Sequence, residues 1–236
     1  MEGKKRISGL KLALKTSVVS GMTLLSRILG LVRDIVFARF FGAGLLMDAF
    51  LVAQRIPNML RRFFAEGAFS AGFVPVLARY KERHNHDEAR EFVGAMAGTF
   101  GIVLFVVTLI GVVGAPALVL IVAPGFVGDG GDFDLAALML RFTFPYLLFV
   151  SLTAFAGGVL NTYGRFGVPA FTPVLLNVVL IAAAVWLAPM LEQPIMALAY
   201  AVFVAGVVQL LFQLPFLAAI RALPRPRWRP QHEGVR

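Results

Sequence analysis

Residues 20–62 read SGMTLLSRILGLVRDIVFARFFGAGLLMDAFLVAQRIPNMLRR, two apolar helical stretches carrying charges where a lipid-facing helix should have none. At 3.6 residues per turn, Ser20, Thr23, Arg27, Gly30 and Asp34 fall at steps of three and four, a small and polar stripe along a greasy rod. Asp48, Arg55, Asn58 and Arg62 repeat the pattern on the second stretch, with Gln54, Asn58 and Arg61 on an adjacent strip. An ionised side chain near a bilayer centre costs roughly 2.5–3.5 kcal/mol even on lenient insertion scales. Several on two neighbouring helices must face protein or water, so the stretch is expected to line a polar cavity within a membrane.

Composition agrees. Of 236 residues, 59% are hydrophobic and 15% charged, and the mean hydropathy is +0.82. Soluble domains carry about 45–50% apolar and about 25% charged residues, so the chain is expected to be an all-α integral membrane protein. It has no cysteine, which excludes disulfide and thiol chemistry. The net charge of +9 does not point to nucleic acid, because the basic residues cluster between apolar spans, where they set topology.

A membrane helix needs about 20 mostly apolar residues. Six spans are expected, near 17–41, 46–64, 93–122, 136–160, 169–190 and 195–219. All but five of the 22 Lys and Arg residues fall in the N-terminal segment, the second and fourth connections and the tail. The other connections carry acids, Asp129, Asp132 and Glu192. Both termini are therefore expected in the cytoplasm. The division is a basic segment 1–16, a six-helix bundle 17–220 with a cytoplasmic connection at 61–91, and a basic tail 221–236. The exceptions are Arg27, Arg33, Arg39, Arg55 and Arg141, which lie within spans.

Enzyme chemistry finds no support: there is no nucleophile beside a histidine, no HExxH, no Walker loop and no dinucleotide turn. His84 and His86 have no third ligand at metal spacing. No metal or cofactor is expected. Arginines can instead hold an anion, since the guanidinium fork matches phosphate oxygens and stays charged when desolvated. Arg27, Arg33, Arg61 and Arg55 would together favour a pyrophosphate, with Asp34 and Asp48 moderating the empty cavity or latching a gate. Internal ion pairs that set helix register are the plainer alternative.

Two strings carry a resemblance, SRxLGxxRD at Ser26–Asp34 and PNxLRRxFAEGAFSxxFVP at Pro57–Pro75. APGF at Ala123–Phe126, FPY at Phe144–Tyr146 and LNTYGRFGVPAFTP at Leu160–Pro173 extend it along the chain. The sequence resembles the MurJ (MviN) family, lipid II flippases of the multidrug/oligosaccharidyl-lipid/polysaccharide exporter superfamily. The resemblance implies a bacterial inner-membrane protein that moves undecaprenyl-pyrophosphate-linked muropeptide to the outer leaflet by alternating access of two lobes. Lipid II and membrane lipids would be its partners, with cell-wall synthesis proteins as further ones, and coupling to membrane potential or a cation is left open. By motif position, Arg27, Arg33, Arg61 and Arg62 would hold the pyrophosphate, and Asn58 is counted with them. Asp34, Asp48 and Glu66 match family acids linked to gating. The family has two six-helix lobes and two further helices, so this chain is expected to be the first lobe, its tail leading into a second. Two other readings stand beside this one. The first is an exporter of another polyprenyl-linked saccharide or a cation-coupled drug antiporter of the same superfamily. The second is a non-transporting scaffold for cell-wall enzymes.

Overall fold

A computed structural model describes residues 2–63, 68–83, 86–127 and 132–223. Among these, nine α-helices and no strands occur: α1 Glu2–Phe41, α2 Leu45–Arg61, α3 Ala68–Arg83, α4 His86–Val113, α5 Ala115–Val122, α6 Phe133–Thr143, α7 Tyr146–Thr162, α8 Gly167–Ala182 and α9 Met196–Ala219. One π turn (Ala183–Leu187) and a 3₁₀ turn (Ala188–Met190) extend α8.

Among the described residues, four segments are long and apolar enough to cross a membrane: Glu88–Val113, Phe133–Thr162, Gly167–Met190 and Met196–Ala219. These correspond to the last four expected spans, with one revision. The span expected over 93–122 is broken at Gly114, because Pro116 in the first turn of α5 has no N–H to continue α4. The two charged stretches do form helices, but among the described residues neither is as long and apolar as these four. α2 has only 17 residues, and α1 carries Arg27, Arg33, Asp34 and Arg39. With 40 residues, α1 is about 60 Å long at 1.5 Å per residue, twice a hydrocarbon core of about 30 Å.

α7, α8 and α9 form the centre, with α1 laid on α8 and α2 on α6. One core layer joins α2, α6, α7 and α9 through Phe50, Ile56, Met139, Leu147 and Leu198, all at most 2% exposed. A second joins α3, α4 and α7 through aromatic rings: Tyr80 stacks on Phe92 at 4.8 Å, and Phe73 packs on Phe155 at 4.8 Å. The outer face of α4 leaves Ile102, Phe105, Leu109 and Ile110 exposed, a surface suited to acyl chains. Close approach of helices needs glycine. At Gly111 of α4 a Cβ would fall 2.0 Å from two ring carbons of Phe144, and at Gly206 of α9 it would come within 2.9 Å of Tyr146.

Pro57 lies inside α2 and lacks the N–H that would satisfy the Ala53 carbonyl four residues back. The hydroxyl of Thr143 on α6 donates to that carbonyl at 2.8 Å, and both residues are fully buried. A neighbouring helix thus repairs the helix break, as apolar surroundings require. Thr143→Val should cost about 1–3 kcal/mol, since it orphans a buried carbonyl. Thr153→Val should cost less, because the Thr153 hydroxyl bonds the Phe149 carbonyl of its own helix. Thermal unfolding of the detergent-solubilised protein compares the two; equal midpoints would refute the repair.

Candidate anion-binding face

α1 and α2 meet at a turn of residues 42–44, where Gly42 adopts φ 68°, a left-handed cap that favours glycine. Beside the turn, Phe37 sits edge-on to Phe50 at 5.9 Å. Beyond it the helices part to lie on different partners, α8 and α6.

On α1 the packed stripe is Ser26, Gly30, Arg33 and Phe37, steps of four, three and four. This differs by one position from the polar stripe expected from the sequence. Ser20, Thr23, Arg27 and Asp34 lie on the exposed side, and only Gly30 belongs to both. Asp48, Arg55 and Asn58 on α2, and Arg62 just past its end, are exposed as well. The charged faces therefore point out of the bundle rather than into a cavity at its heart. The apolar residues Leu24, Leu31 and Ile35 of α1 are exposed beside them.

Two clusters organise the site residues. Arg33, a quarter exposed, donates from Nε and Nη2 to Asp34 Oδ1 at 3.0 and 2.7 Å, and from Nη1 to Asn177 Oδ1 at 3.1 Å. Its guanidinium carbon lies 5.8 Å from the centre of the Phe37 ring, a cation–π contact. Arg61, in the last turn of α2, donates from Nε to Asn58 Oδ1 at 3.1 Å. Both line a cavity of about 650 Å³ shared with Tyr146, Thr153 and Asn161 of α7 and Thr172 of α8. Arg27 and Arg33 are not among the residues that line this cavity. Glu66 lies outside the described residues. Among the described residues no group of three or more His, Asp or Glu side chains could hold a metal ion.

Sequence reading missed Asn177 of α8, which is 5% exposed. Its signal was visible as a lone amide in the apolar run TPVLLNVVLIAA, but nothing local indicated its partners. It also missed a polar ladder between α8 and α9. There Gln209 Nε2 donates to the Thr172 carbonyl at 3.0 Å and Gln213 Nε2 to the Thr172 hydroxyl at 2.9 Å.

Residues 37–236 match the family model for the lipid II flippase MurJ. The chain belongs to the MurJ family. It is 50% identical over 221 residues to the "Probable lipid II flippase MurJ" of Haemophilus influenzae, covering 91% of this chain and 43% of that protein. It is 51% identical over 222 residues to the "Lipid II flippase MurJ" of Burkholderia cenocepacia, covering 92% of this chain and 43% of the relative. Among solved structures, a lipid II flippase MurJ in an inward closed conformation superposes with a TM-score of 0.69 at 26% identity. That match covers 89% of this chain and 42% of the other. The chain thus spans less than half the length of the MurJ relatives it matches. Its membership and its four apolar helices make it a multi-pass membrane protein.

Proposed function

We propose that this chain forms one lobe of a lipid II flippase and that the outward face of α1 and α2 is one wall of its translocation cleft. The observation that carries the reading is the exposure of Arg27, Asp34, Asp48, Arg55 and Arg62 on two helices whose opposite sides pack into an apolar bundle. Charges so placed cannot face lipid without cost, and a water-filled cleft against a second lobe removes that cost. In this reading α1 and α2 complete a six-span lobe with both ends in the cytoplasm.

The chemistry of the wall suits a lipid pyrophosphate. Arg33 and Arg61 are each oriented by a neutral amide, Asn177 and Asn58, and Arg33 is also paired with Asp34. Arg27 and Arg62, freely exposed along the same helices, extend the cationic surface. In this reading Asp34, which pairs with Arg33, and Asp48 hold arginines when the cleft is empty and release them when an anion enters. No cofactor takes part in this scheme, and the energy for turnover comes from membrane potential or a coupled cation.

Depleting the protein tests the substrate. The expected result is accumulation of lipid II in the inner leaflet, followed by loss of cell shape and lysis. Normal lipid II distribution with altered drug tolerance would replace this reading by a drug antiporter, and accumulation of a different polyprenyl-linked saccharide would replace the substrate.

A further inference from the structure

Asn177 is nearly fully buried on α8, yet both ends of its amide face α1. Its Nδ2 donates to the Ser26 carbonyl at 3.1 Å, and its Oδ1 accepts from Arg33 Nη1 at 3.1 Å. The orientation of the amide is unambiguous, because a reversed amide would set oxygen against a carbonyl and NH₂ against a guanidinium. Between the two contacts lies Gly30, whose Cβ position would be 3.9 Å from Nδ2. Ser26, Gly30 and Arg33 form one stripe, so α1 crosses α8 with its least bulky residue over Asn177.

This arrangement does more than hold two helices together. A guanidinium has five N–H donors. Three are engaged here, two on Asp34 and one on Asn177, which leaves one on each terminal nitrogen. Without Asn177, the long side chain would be fixed only by Asp34 and by its contact with the Phe37 ring, and would keep more of its rotamer freedom. With Asn177 the fork is held before a ligand arrives, and preorganised donors lose less entropy on binding.

We propose that Asn177 is a positioning residue for Arg33, setting its remaining donors toward an anionic group such as a lipid pyrophosphate. The inference rests on the reading of Arg33 as an anion ligand. Because Asn177 on α8 also holds the Ser26 carbonyl, a tilt of α1 on α8 strains both contacts at once.

A double-mutant cycle separates positioning from simple helix attachment. The full-length protein in detergent is titrated with farnesyl pyrophosphate, with farnesol as the uncharged control. Arg33→Ala should weaken pyrophosphate binding at least tenfold. Asn177→Leu should weaken it about five- to tenfold in the native background and less than twofold in the Arg33→Ala background. Farnesol binding should be unchanged throughout. Equal losses in both backgrounds would make Asn177 a structural pin and overturn the proposal, as would no loss in either. If Arg33→Ala itself has no effect, the anion reading of Arg33 fails and the positioning role fails with it. If Asn177→Leu does not accumulate in the membrane, Asn177→Ser, too short to reach either partner, goes through the same cycle and is judged by the same criteria.

Discussion

Arg61→Ala in the intact chromosomal gene should abolish growth of a cell that has no other flippase, while the protein still reaches the membrane in normal amount. Arg61 lines the 650 Å³ cavity from the last turn of α2, with Nε held by Asn58. Hydrogen bonds to charged groups contribute about 1.5–3 kcal/mol each, so losing one charged fork should weaken anion binding roughly 10- to 150-fold. Stability should suffer far less. A cation at a helix C-terminus contributes about 0.3–1 kcal/mol, which is too little to remove the protein from the membrane. Arg61→Lys should retain partial function, because a point charge keeps the attraction but loses the planar fork. Growth assays with membrane immunoblots check both; full rescue by the Ala variant would remove Arg61 from the substrate wall.

Gly111→Ala is expected to give the largest loss of stability among single-methyl additions to this bundle. The new Cβ would fall 2.0 Å from two ring carbons of Phe144, and that ring cannot easily withdraw. Phe144 is 1% exposed and lies at the junction of α6 and α7, next to Pro145. Overpacking of this kind costs about 1–3 kcal/mol and sometimes more. Gly101 on the same helix has nothing within 4 Å of its Cβ position. Gly101→Ala should be neutral or slightly stabilising, since alanine is favoured over glycine in helices by about 0.8–1 kcal/mol. Thermal unfolding of both variants in one detergent decides the matter, and equal midpoints would contradict the close approach of α4 and α6.

The two predictions probe different kinds of knowledge. Arg61 was visible from sequence, because it shares a helical strip with Gln54 and Asn58 and falls within the string PNxLRR. Gly111 was not. It sits in GIVLFVVTLIGVVGAP among other glycines, and only its approach to a residue 33 positions later distinguishes it. The same holds for Thr143, whose partner carbonyl at Ala53 is 90 residues away, and for Asn177, which is 144 residues from Arg33. The position of the charged stripe on α1 shows how close the sequence reading came. Helical periodicity placed Arg27 and Asp34 together on one face, and they are together. It could not tell that their face is the open one and that Arg33, one residue over, belongs to the packed side.

By itself the sequence determined the class of the protein, four of its apolar spans and, through long motif strings, its family. These follow from local chemistry: transfer free energies, helical spacing and residue type act without reference to the rest of the chain. Only the tertiary structure decided which side of α1 packs on α8, which carbonyl Thr143 satisfies and which amide holds Arg33. Those choices depend on contacts between residues far apart in the chain, and in an apolar bundle many packings bury similar area. The few polar and glycine positions that can meet without orphaned groups or steric overlap select one packing among them.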